Sequence, residues 1–142
     1  MFRNQDQPLE RDHANVKTIL IVEDDAGVGE FLERVISEET SYKALLVTNG
    51  FEALKVTHDV KPNLLLLDYQ LPRMNGIEVY DRLHAMKELE DTPGIMISAN
   101  LPKYEMDKRS IIGMQKPFEL SELLDTIEEV LACHQSEASA YS

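Results

Sequence analysis

The sequence predicts an α/β domain, a parallel sheet of five strands with helices on both faces, and three observations predict it. Short, nearly continuous apolar runs alternate along the chain with stretches of helical periodicity. The runs are apolar at successive positions, as strands buried on both faces require, and do not alternate with polar residues. The strand-then-helix order recurs five times within one domain's length, the pattern of a sheet wrapped on both sides.

Each element has its own signal. Residues 1 to about 16 are polar and aperiodic and read as a flexible leader. Lys17-Thr18-Ile19-Leu20-Ile21-Val22 reads as the first strand and stops abruptly at Glu23-Asp24-Asp25. Over 26–38, Val28, Phe31, Leu32, Val35 and Ile36 recur at helical spacing, with Asp25 placed to cap the helix. Tyr42 to Val47 reads as strand, Phe51 to about Asp59 as a short helix, and Asn63 to Asp68 as strand. Ile77 to Glu88 reads as helix, with Val79, Tyr80, Leu83 and Met86 inward. Ile95 to Ser98 is the fourth strand, a brief helix falls near 103–109, and Ile111 to Gln115 is the fifth strand. Leu120, Leu123, Leu124, Ile127, Val130 and Leu131 form the clearest helical stripe. The expected domain therefore runs over 17–133, and 134–142 reads as a small, polar, frayed tail.

Composition narrows the function. The 142 residues fit one domain, and 43% hydrophobic with 28% charged residues describes a globular chain. A net charge of −12 and a pI near 4.7 argue against direct nucleic-acid binding and against docking on an anionic membrane. A negatively charged cleft, by contrast, favours divalent cations. The single cysteine, Cys133, forms no intrachain disulfide and reads as a small apolar residue on the last helix. The N-terminal residues lack the apolar core of a signal peptide, and no run approaches a membrane span, so a cytoplasmic location is expected. His13, His58, His84 and His134 show no metal-ligand spacing.

The polar residues gather at one kind of place. Asp24 and Asp25 follow the first strand, Asp68 ends the third, Ser98 ends the fourth and Lys116 follows the fifth. In an open doubly wound sheet the carboxyl ends of the strands share one edge, where ligands bind. With the flavodoxin-like order 2-1-3-4-5, taken from the fold class, these positions converge around Asp68. Three carboxylates and one lysine leave a charge of about −2, which a hard cation with oxygen ligands such as Mg²⁺ cancels. A carboxylate can act as nucleophile to form an acyl phosphate, while cation, ammonium and hydroxyl neutralise the transferred group. Taken singly, the aspartates could be caps, Ser98 an ordinary strand-end hydroxyl and Lys116 a solvated side chain. Asp68 is harder to dismiss, because a carboxylate abutting a buried run of leucines needs a partner.

Across about residues 17 to 132 the chain resembles the receiver domains of two-component response regulators. Ile21-Val22-Glu23-Asp24-Asp25, Leu67-Asp68-Tyr69-Gln70-Leu71-Pro72-Arg73-Met74-Asn75-Gly76, Ser98-Ala99 and Lys116-Pro117-Phe118 carry the likeness, in order and each after its own strand. The resemblance implies that Asp68 accepts a phosphoryl group from a histidine on a partner kinase or phosphotransfer protein. Asp25 and Asp68 would ligate Mg²⁺, with Asp24 holding a ligating water and the Gln70 carbonyl as a further ligand. Ser98 and Lys116 would each take a phosphoryl oxygen, and Lys116-Pro117 would be a cis peptide. Gly76 matches the turn that opens the third helix.

Two features depart from the family. Gly113 stands three residues before the lysine, where an aromatic switch residue is usual, with Tyr104 a candidate to supply the ring. The segment from Ser98 to Lys116 is also about one helical turn short. The leading reading is a phosphorylated switch that changes its binding of a downstream protein and is no enzyme beyond slow loss of its own phosphoryl group. A binding module that keeps the site without switching is the alternative. A Mg²⁺-dependent phosphohydrolase is a third reading, weakened because Asp68 is followed by Tyr69-Gln70 instead of an Asp-x-Asp pair. Dimerisation, and action alone or within a longer protein, stay open.

Overall fold

The computed structural model describes residues 16–141, with side chains to residue 132. The expected leader lies outside the described residues apart from its last position, and Cys133 lies outside the described side chains. The order is β1 (Thr18–Val22), α1 (Ala26–Glu39), β2 (Lys43–Val47), α2 (Gly50–Val56), β3 (Leu64–Asp68), α3 (Gly76–His84), a 3-10 turn (Lys87–Leu89), β4 (Gly94–Ser98), α4 (Lys103–Arg109), β5 (Ile112–Gln115) and α5 (Leu120–Tyr141). The strands form one parallel sheet in the order β2-β1-β3-β4-β5, the predicted doubly wound arrangement. Among the described residues no helix is long and apolar enough to cross a membrane.

The unbroken apolar runs are explained by two cores, one on each side of the sheet. Leu20, Val22, Leu65, Leu67 and Met96 face α2, α3 and α4, where Ala53, Val79, Leu83 and Met106 meet them. Ile19, Ile21, Leu64, Leu66, Ile95 and Ile97 face α1 and α5, against Leu32, Ile36, Leu123 and Ile127. Leu64, Leu65, Leu66 and Leu67 are all fully buried. Each such side chain contributes about 2 kcal/mol by area, an upper bound because the unfolded chain is itself partly collapsed.

α2 ends at Val56, short of the expected Asp59, and two other elements differ from the sequence reading for packing reasons. On α1 the face that meets the sheet is Gly29, Leu32, Val35 and Ile36, while Val28 and Phe31 are exposed. Gly29 sets this rotation: a Cβ there would lie 2.8 Å from Leu46 Cδ1, so the bare backbone rests on β2. α3 stops at His84, short of Glu88, and a 3-10 turn follows. In a continuous helix Leu89 would point about 240° from Leu83; the break swings it inward, where it is 1% exposed. Over the stretch from about 134 the backbone continues as helix to Tyr141.

Candidate functional site

The carboxyl ends of β1, β3, β4 and β5 build the site. Asp68 closes β3 beyond four buried leucines and is itself 7% exposed. Its Oδ1 accepts the Gln70 N–H at 3.0 Å, and its Oδ2 lies 3.9 Å from Lys116 Nζ. The loop that follows is held tightly. Gly76 N donates to the Tyr69 carbonyl at 2.9 Å, and a Cβ on Gly76 would sit 2.7 Å from the Asp68 carbonyl oxygen. Only glycine lets α3 start this close to β3. Asn75 and Glu78 then cap that helix reciprocally, Asn75 Oδ1 accepting from Glu78 N at 2.9 Å and Glu78 Oε1 accepting from Asn75 N at 3.0 Å.

The carboxylates gathered here are Glu23, Asp24 and Asp68, each offering an oxygen within 4.8 Å of the others. Glu23 was not among the residues singled out from sequence. The signal was the period of two: Ile21 pairs with Leu66, so two residues further on Glu23 and Asp68 fall on the same face of adjacent strands. The β1–β2 ladder also extends to Glu23, whose N–H donates to the Val47 carbonyl at 3.1 Å. Asp25, expected as a ligand, is not in the trio. Its Oδ1 caps α1 by accepting the Val28 N–H at 3.0 Å, and its own N–H donates to Glu23 Oε2 at 3.2 Å. Asp25 is the N-cap of α1, still extended but three residues beyond the end of β1 at Val22, and its carboxylate is turned to the helix.

Burial, the Asp68 carboxyl hydrogen-bonded to it and the negative charge of Asp68 push the Glu23 carboxyl up to about 7. Crowding of acids that individually prefer to ionise is the condition a cation relieves. An oxygen-only donor set this compact, one exposed carboxylate among two buried ones, fits a hard divalent ion such as Mg²⁺.

The other two strand ends complete the ring. Ser98 closes β4, is 1% exposed, and its Oγ accepts the Asn100 N–H at 3.0 Å. Lys116 follows β5, its N–H donating to the Ser98 carbonyl at 2.9 Å, and Lys116-Pro117 is cis. Tyr104 does not supply a ring to this region: it is 74% exposed, with Lys108 Nζ 5.0 Å from its ring centre. The space above Gly113 is taken by Leu101 and Met106.

Comparison with known proteins shows the family and the fold. The family model described as "Response regulator receiver domain" matches residues 19–128. The chain is 30% identical over 118 residues to sporulation initiation phosphotransferase F of Bacillus subtilis, covering 80% of this chain and 92% of that protein. It is 31% identical over 119 residues to the polar-differentiation response regulator DivK of Brucella anthropi, covering 81% and 96%. The fold is similar, with a TM-score of 0.70 at 21% identity over 82% of this chain and 98% of the other, to the receiver domain of sensor histidine kinase PA1611 of Pseudomonas aeruginosa, solved with a magnesium ion in its active site cleft.

Proposed function

The chain belongs to the response regulator receiver domain family, and on that premise we propose that Asp68 is its phospho-acceptor, taking a phosphoryl group from a histidine on a partner kinase or phosphotransfer protein. The observation that carries this reading is Asp68 itself, a buried strand-end carboxylate with Glu23 and Asp24 on one side and the Lys116 ammonium on the other. An Asp68 oxygen attacks phosphorus, the P–N bond to the donor imidazole breaks, and the imidazole leaves with a proton taken from water. An acyl phosphate remains on Asp68.

The surrounding residues position and neutralise the transferred group. Lys116 turns from the Asp68 carboxylate to a phosphoryl oxygen. Ser98 donates its hydroxyl to another, since an oxygen that accepts from Asn100 N–H still has its own O–H to give. Asp24, Asp68 and Glu23 would hold Mg²⁺, with the Gln70 carbonyl as a further ligand and Asp25 staying with its cap. When bound, the cation supplies positive charge to the oxygens of the transferred group. The donor histidine belongs to the partner, which meets the domain in the cytoplasm.

Phosphorylation replaces one negative charge by about two and adds acceptor oxygens, which biases the loops at this edge toward a second arrangement and alters affinity for a downstream protein. The domain acts as a switch and turns over no external phosphate ester. Incubation with acetyl phosphate and Mg²⁺ tests this: the chain gains the mass of one phosphoryl group, and the Asp68→Asn variant does not. Uptake that is unchanged in that variant, or sustained hydrolysis of a generic phosphate ester, contradicts the reading.

A further inference from the structure

Gly113 lies in β5 beside Met96 of β4 and leaves a notch on the α4 side of the sheet. A Cβ there would collide with the end of the Met106 side chain and lie 3.0 Å from Leu101 Cδ1. Two apolar side chains thus occupy the volume that any residue other than glycine would claim. Met106 is buried, and Leu101 is half-buried against the same core.

The two side chains differ in how firmly they are held. Met106 belongs to α4, which Arg109 fastens to α3. Its Nε lies 2.7 Å from Asp81 Oδ1, and its Nη2 lies 2.8 Å from Asp81 Oδ2. The same guanidinium reaches back to the Glu105 carboxylate at 2.9 Å. The Met106 carbonyl also accepts from Ile111 N at 3.0 Å. Leu101 sits in the loop before α4, which is tied at its other end to Ser98 through the Asn100 N–H on the Ser98 hydroxyl. A displacement of that hydroxyl would act on Asn100 and so on Leu101, whereas α4 is tied to α3 by the Arg109 contacts. Dispersion contacts fall away within about an ångström of separation, so a modest shift of the loop unseats Leu101. Packed elements of this kind occupy one of two arrangements and do not deform continuously.

We propose that Leu101, seated with Met106 in the notch over Gly113, is a latch that holds the β4–α4 loop in its present arrangement and is released when the Ser98 hydroxyl is drawn toward a phosphoryl group on Asp68. The proposal rests on the phospho-acceptor reading above. It gives Gly113 a positive role: the missing side chain makes the seat.

Weakening the seat removes part of what a phosphoryl group has to overcome, so it tightens binding of a phosphoryl mimic. Calorimetric titration of beryllofluoride in saturating Mg²⁺ compares the unchanged chain with Gly113→Ala, which fills the notch, and Leu101→Ala, which empties it. Both variants are expected to bind beryllofluoride about fivefold or more tightly, with Mg²⁺ affinity unchanged. A smaller gain, no change or a loss, in whichever variant folds, overturns the latch. If the unchanged chain itself fails to bind beryllofluoride, the phospho-acceptor reading falls and the latch falls with it. Binding by the unchanged chain with unshifted variants removes the latch alone.

Discussion

Lys116 Nζ stands 3.9 Å from Asp68 Oδ2, the lysine reaching from the end of β5 past β4 to the end of β3. The pair is a loose contact, with about a third of the lysine side chain exposed, and therefore contributes little to stability by itself. Its value lies in leaving the ammonium free to turn to a more strongly charged acceptor. Lys116→Ala is expected to weaken beryllofluoride binding by about tenfold or more, because a charge-assisted contact is lost from a partly buried site. Mg²⁺ binding, measured by titration without the mimic, should not weaken, since a positive charge has been removed from beside the cation. Equal losses of both would show Lys116 to be structural.

The two aspartates after β1 should separate cleanly. Asp24→Asn is expected to abolish or strongly weaken Mg²⁺ binding, since Asp24 is in the carboxylate trio. Asp25→Ala removes the cap on α1 and should cost about 1 kcal/mol of stability in denaturant unfolding, with Mg²⁺ affinity changed only a few-fold. The reverse pattern would restore Asp25 as the ligand.

Glu23 makes a prediction about pH. Its carboxyl, ordinarily near 4.5, is pushed up to about 7 by burial first and then by Asp68. Between those values the folded state holds a proton that the unfolded state has released. The part of the stability that Glu23 contributes, followed in the presence of a chelator, should therefore be full below about 4.5 and be lost as pH rises through about 7. Glu23→Gln carries no titrating proton and should flatten that part of the profile. A wild-type profile that rises over the same window would contradict the assignment.

Gly76 ties the site to the fold. With the Asp68 carbonyl 2.7 Å and Tyr69 Cα 2.9 Å from where a Cβ would be, Gly76→Ala meets backbone that has no rotamer to retreat into. A loss of about 1–3 kcal/mol in unfolding is expected, together with weaker Mg²⁺ binding as Asp68 shifts. A variant as stable as the unchanged chain would mean that the loop adapts freely.

The sheet was legible in the sequence because strands buried on both faces leave no polar position to confuse the pattern: Ile19 to Val22 and Leu64 to Leu67 have only one reading. The strand-end residues Asp68 and Ser98 were legible for the same reason, since each ends such a run, whereas Lys116 follows the largely exposed edge strand β5. What sequence periodicity did not yield was register. Glu23, whose N–H continues the β1–β2 ladder to the Val47 carbonyl, carries no mark in the sequence that separates it from Asp24 and Asp25. Of the α1 stripe, Leu32, Val35 and Ile36 are buried while Val28 and Phe31 are exposed, and Gly29, which carries no hydropathy signal, is the position that packs on Leu46. The filling of the Gly113 notch by Leu101 and Met106 depends on contacts between a loop, a helix and a strand, and no local pattern encodes it.

The most direct test is to locate the phosphoryl group. After reaction with acetyl phosphate and Mg²⁺, reduction with borohydride converts an acyl phosphate to an alcohol that peptide mass spectrometry can place. The account predicts that mark on Asp68, and its absence when Mg²⁺ is chelated. A mark on another carboxylate, or none with the protein folded and Mg²⁺ present, would contradict it.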